Sequence, residues 1–189
     1  MVPLAELWLP ILLSAVFVFV ASSVIHMATP MHKRDFKPLP NEDAVREAMR
    51  NAGVAPGAWA FPCPASMQDM GSPEFVQKYT EGPVGFMQIL PNGPPKMGKS
   101  LVQWFLWSLV LSVFIAYLTG LAAGPGESYM VVFRIAGTVG VLGYAFSNVT
   151  NSIWKGESWW TTFKFMLDGA IYGLVSAGTF AWQWPGVAG

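Results

Sequence analysis

Apolar and polar positions segregate along this chain in blocks much longer than any helix or strand period. Four apolar stretches run from about Leu7 to Met27, Leu101 to Ala123, Tyr129 to Val149 and Phe163 to Trp184. A helix needs roughly 20 mostly apolar residues to cross a bilayer's hydrocarbon core, and each stretch has that length. A spanning segment must satisfy its own backbone polar groups, so the pattern predicts helices. The expected fold class is therefore an all-α membrane protein. It would have four transmembrane helices and a structured loop of about 70 residues between the first two. A cleaved signal peptide is the rival reading of the first stretch. Signal peptides open on a basic region, whereas Met1–Glu6 carries an acid and no base.

The polar segment 28–100 has local structure of its own. Asn41, followed by Glu42 and Asp43, with Arg46 and Arg50 later and Gly53 beyond, predicts a short helix near 41–52. Acids first, bases last and glycine at the stop all complement a helix's dipole and its unpaired end groups. Ser72-Pro73-Glu74, closed by Gly82, predicts another near 72–81. Gly53 to Pro64 reads as an ordered loop, and Pro91-Asn-Gly-Pro-Pro95 as a turn. The whole chain, 1–189, reads as a single membrane domain.

Composition supports the membrane assignment, with 53% hydrophobic and 12% charged residues. Formal net charge is zero, so nothing in the whole-chain charge points to nucleic acid. The position of the charges matters more. Eight of the eleven Lys and Arg residues lie between the first and second stretches, with Lys155 and Lys164 around the start of the fourth. Basic residues near helix ends stay in the cytoplasm. This predicts a bacterial inner-membrane protein with both termini outside and the long loop inside. Trp8, Trp104, Trp107, Trp154, Trp159, Trp160, Trp182 and Trp184 all fall near stretch ends, as in an interfacial aromatic belt.

The stretches also carry packing signals. Ser108, Ser112, Ala116 and Gly120 recur at steps of four in the second, and Gly169, Gly173, Ala177 and Ala181 in the fourth. Small residues at that spacing form a groove into which another helix backbone fits closely.

Four features bear on chemistry. Gly93-Pro-Pro-Lys-Met-Gly98-Lys99-Ser100 matches the phosphate-loop pattern letter for letter. It is not read as a nucleotide site, because that loop works through backbone N–H groups, which Pro94 and Pro95 lack. His26, His32, Cys63 and Met67 offer imidazole, thiolate and thioether donors of the kind that suit copper or zinc, with haem as a further candidate for the histidines. Their spacing is loose, so no cofactor follows from it. Two charges interrupt the apolar stretches, Arg134 in the third and Asp168 in the fourth. Intramembrane charges are costly and often mark function. Arg134 can reach outward along its stem, whereas Asp168 is short and calls for a partner such as Lys164 or Asn148. No nucleophile–base pair or close acid pair can be placed on shared elements, so an enzyme is not the favoured reading.

The residues Ser22-Ser-Val-Ile-His26-Met27, Leu39-Pro-Asn-Glu-Asp43, Glu81-Gly-Pro-Val-Gly-Phe86, Gly98-Lys-Ser100, Gln103-Trp-Phe105, Asp168-Gly-Ala-Ile-Tyr-Gly173 and Ala177-Gly-Thr-Phe-Ala-Trp182 resemble those of a widespread family of small four-helix bacterial membrane proteins with no established activity. The resemblance implies one domain with the loop belonging to the bundle, and it draws attention to Asp168, His26 and the Pro91–Pro95 turn. Together these readings predict a non-enzymatic accessory or scaffolding subunit. It would contact the bilayer and either other membrane subunits or itself, with a respiratory or photosynthetic assembly as a candidate setting. The alternative is a small transporter or metal- or cofactor-handling protein built on Asp168 and His26.

Overall fold

A computed structural model describes residues 1–186. The chain is mostly helical and divides into two compact units. The first comprises residues 1–35, 96–153 and 157 onward, and the second residues 36–95 and 154–156.

The first unit is built on α1 (Trp8–Ala28), α4 (Met97–Ala122), α5 (Tyr129–Tyr144) and α7 (Trp159–Trp182). These helices pack in a ring, α1 on α4, α4 on α5, α5 on α7 and α7 on α1. Neighbours run antiparallel. The Val2 N–H donates to the Gly120 carbonyl at one end of the α1–α4 pair, and the Trp104 Nε1–H donates to Ser22 Oγ toward the other. Three helical segments are long and apolar enough to cross a membrane: Leu4–Ala28, Met97–Ala122 and Tyr129–Lys155. In the last of these the α-helix gives way at Ala145 to a 3-10 turn before the short helix α6 (Val149–Lys155).

Polarity in the bundle is distributed inside out relative to a water-soluble protein. Ser14, Ser108, Ser112, Thr119, Ser176 and Thr179 are buried, while Val20, Val24, Leu106, Phe114, Leu142 and Leu174 face outward. In water such a surface would be an aggregation hazard. In lipid it is the favourable arrangement, because close packing of small and hydroxyl-bearing residues holds the helices together. All eight stripe positions, Ser108, Ser112, Ala116 and Gly120 on α4 and Gly169, Gly173, Ala177 and Ala181 on α7, are buried. The tightest approach is between α5 and α7. A Cβ on Gly173 would stand 2.5 Å from the Val141 nitrogen, and one on Gly169 would stand 2.5 Å from the Ala145 Cα. Gly120 likewise lies under the Val2 carbonyl, 2.5 Å from where its Cβ would be.

The second unit holds α2 (Glu42–Asn51), α3 (Pro73–Glu81) and an antiparallel pair, β1 (Gly57–Phe61) and β2 (Gly85–Ile89). Trp59 stands opposite Met87 and Phe61 opposite Gly85. The pair corrects the reading of Gly53 to Pro64 as loop and adds a small sheet to the all-α expectation. Its strands are five residues each and are separated by α3, so no tight-turn signal marks them. Ser72 caps α3 by accepting from the Phe75 N–H, with Pro73 at the first helical position and Gly82 at the stop. Asn41 does not cap α2. Its backbone is left-handed (φ 49°), and its side chain makes no capping hydrogen bond.

Candidate metal centre

The centre lies where α1 ends and α7 begins. α1 stops because Pro30 cannot continue a helix, and Thr29 turns the chain there. The Thr29 hydroxyl donates to the Ile25 carbonyl at 2.6 Å and accepts from the Met31 N–H at 3.4 Å. Two further turn bonds, Lys33 N–H to the Pro30 carbonyl and Asp35 N–H to the His32 carbonyl, close the segment. This local geometry puts His32 and Asp35 on one side of the turn. His26, in the last turn of α1, lies with its ring 4.5 Å from that of His32. On the opposing helix, α7, Lys164 and Asp168 share a face because they are four residues apart.

The resulting chain of contacts is continuous. The Lys164 ammonium donates to the Met31 carbonyl at 3.0 Å and also pairs with the Asp35 carboxylate. The other oxygen of Asp35 meets His32 Nδ1 at 2.6 Å. His32 Nε2 stands 2.9 Å from Asp168 Oδ2, and His26 Nε2 stands 3.6 Å from that oxygen. The His32 ring also stacks on Phe165 at 5.0 Å, which fixes its plane. Asp35, Asp168 and Lys164 are nearly inaccessible and His32 is largely covered, while His26 is 42% exposed.

Proton placement gives this arrangement its chemical meaning. An ionised carboxylate only accepts, so the contact with Asp35 requires the proton of a neutral His32 to sit on Nδ1. Nε2 is then left with a lone pair. Neither Nε2 nor either Asp168 oxygen has a hydrogen-bond partner, although Nε2 and Oδ2 are only 2.9 Å apart. The contact is close but out of line with the ring, and two buried acceptors this close are stabilised by a positive charge beside them, a proton or a metal ion. One donor atom from each of His26, His32 and Asp168 lies within 4.8 Å of the others, the only such cluster among the described residues. Bonds of ~2.0–2.1 Å at tetrahedral angles hold ligand atoms roughly 3.3 Å apart, a value bracketed by the observed 2.9 and 3.6 Å. Asp35 behind His32 is the carboxylate that commonly orients a ligating imidazole.

The other residues named from sequence lie elsewhere. Cys63 is exposed in the second unit, where it lines a cleft with Asp69, Glu74 and Lys78, and Met67 is 83% exposed in the same unit. Arg134 is exposed on α5. Asn148, expected near Asp168, instead donates to the Tyr144 and Ala145 carbonyls. Lys164 pairs with Asp35 rather than with Asp168. Asp35 was not anticipated at all. The available signal was His32-x-x-Asp35, a spacing that puts a carboxylate one turn from an imidazole.

Comparison with protein-family models, with curated proteins and with solved structures returned no match for this chain.

Proposed function

We propose that this is an integral membrane protein that binds a divalent transition-metal ion at the inner end of its helix bundle. His26, His32 and Asp168 would be the ligands, and Asp35 and Lys164 would orient and neutralise them. The observation that carries the reading is the convergence of one ligand atom each from His26, His32 and Asp168 within 4.8 Å of one another, with His32 Nε2 and both Asp168 oxygens lacking a hydrogen bond. Two imidazoles and a carboxylate suit zinc and its first-row neighbours, and three protein ligands leave a position open for another molecule. The donor set thus departs from the His–Cys–Met combination suggested by sequence.

The same proposal treats α7 as the fourth span. It is 24 residues long, and Phe163, Leu167 and Leu174 face outward from it like the lipid-facing residues of the other three. Its lower hydropathy reflects Lys164 and Asp168, both turned inward. The clustering of Lys and Arg around residues 28–100 supports an inner-membrane orientation with both termini outside. The small-residue stripes that suggested a scaffolding subunit are already used within the chain, so they call for no external partner.

Calorimetric titration of chelator-treated protein with zinc tests the metal assignment. One ion per chain is expected, with affinity reduced at least tenfold in His32→Ala, since a ligand is lost. Unchanged binding in His32→Ala, or no saturable binding in the wild type, would contradict it.

A further inference from the structure

A cavity of about 520 Å³ opens beside the metal centre, between α1, α4, α5 and α7. That volume falls in the range of small-molecule sites, ~300–1,000 Å³. Its mouth is formed by outward-facing Met27, Met97, Leu101 and Trp107, and its inner wall includes Trp104, Tyr144 and Tyr172. The inner three rings meet edge-on, with centroids 5.7–6.3 Å apart. Two of their polar atoms are committed. Trp104 Nε1–H donates to Ser22 Oγ at 2.8 Å, and the Tyr144 hydroxyl donates to the Ser108 carbonyl at 3.4 Å. The third is not. The Tyr172 hydroxyl is buried without a partner, on a residue only 4% exposed. Asp168, four residues earlier on the same face of α7, also lines the cavity, and its Oδ1 is likewise buried and unpaired.

One helical turn therefore presents an unpaired hydroxyl donor and an unpaired carboxylate acceptor to a ring-lined space whose other polar lining is Ser22, Ser23, His26, Ser100, Ser147 and Asn148. We infer that the cavity takes a membrane-soluble quinone or quinol. In the oxidised form a carbonyl oxygen of the head would accept from Tyr172, in the quinol form a ring oxygen would accept from Tyr172 while a ring hydroxyl donates to Asp168, and in both the apolar tail would leave past Met27, Met97 and Leu101. Met27, Met97, Leu101 and Trp107 give the mouth an apolar side that suits entry from the bilayer. A flat head fits edge-on aromatic walls, with ring pairs worth something beyond their buried area. A fatty acid carboxylate would meet Asp168 as a second anion. The inference does not rest on the metal assignment, because it uses Tyr172 and the oxygen of Asp168 that does not face the histidines.

The test measures binding of decylubiquinone to purified protein in nanodiscs, by the rise in melting temperature and by quenching of tryptophan fluorescence. Saturable binding to the wild type is expected. Tyr172→Phe should weaken it about tenfold, the worth of one lost hydrogen bond, while still binding one zinc per chain. Retained zinc with quinone affinity equal to wild type would overturn this inference alone. No saturable zinc binding to the wild type, with its quinone binding intact, would count only against the metal reading. Should Tyr172→Phe fail to fold, photolabelling of the wild type with an azidoquinone decides. An adduct on the Trp104 or Tyr172 segment supports the site, and adducts confined elsewhere overturn it. Oleate competing as effectively as decylubiquinone would also overturn it, since the head would then go unread.

Discussion

At the scale of single residues, Asp35 is the position whose role differs most from its appearance in the sequence. It lies among Lys33, Arg34 and Lys37 and looks like one more charge in a solvated run. In the folded chain its side chain is buried, bonded to His32 and paired with Lys164. The account gives it an orienting role, so Asp35→Asn should keep one metal ion per chain but lower zinc affinity ~10–100-fold, the usual effect of losing the carboxylate behind a ligating imidazole. Competition against a chromophoric chelator measures this. Asp43→Asn, at a fully exposed side chain, should change nothing. His26, His32 and Asp168 are each marked in the sequence by chemical type. It could not join them, because the carboxylate reaches the histidines only through the packing of α7 on α1. Cys63 and Met67 entered the same candidate set on donor chemistry alone, and donor chemistry carries no distance.

At the scale of elements, the legible features were those written in local pattern. The apolar blocks of α1, α4 and α5 announce themselves by length, and the cap and stop of α3 by Ser72, Pro73 and Gly82. The β1–β2 pair stayed hidden because strand pairing is non-local and short strands flanked by Gly and Pro resemble loop. The α5–α7 contact is where an element's packing is most sharply constrained. Gly173→Leu would drive a side chain into the Val141 backbone, which α5 cannot yield without moving as a whole. Overpacking of a tight core costs ~1–3 kcal/mol or more. The variant should therefore melt well below wild type in detergent, as followed by fluorescence-detected size exclusion. Leu118→Ala, at an outward-facing position on α4, should melt within a few degrees of wild type. Equal melting of Gly173→Leu and wild type would show that the helices do not approach as described.

At the scale of the whole molecule, the account joins an inside-out bundle to a polar centre at one end. Buried hydroxyls, outward apolar side chains and three apolar helices are the signature of a lipid solvent. The skewed placement of Lys and Arg supports the proposed direction across the membrane. A cysteine placed at Glu127, between α4 and α5, in a Cys63→Ser background should react with a membrane-impermeant maleimide in intact cells. One at Ala52 should react only after the membrane is opened. Labelling of Ala52→Cys in intact cells would reverse the orientation and put the metal centre on the outer side.

The central claim is that His26, His32 and Asp168 hold a metal ion, and X-ray absorption at the zinc edge of the zinc-loaded protein in nanodiscs tests it most directly. The account predicts a shell of nitrogen and oxygen neighbours at ~2.0–2.2 Å, with the outer scattering of two imidazoles and no sulfur. A sulfur neighbour at ~2.3 Å, or an all-oxygen shell without imidazole scattering, would contradict it.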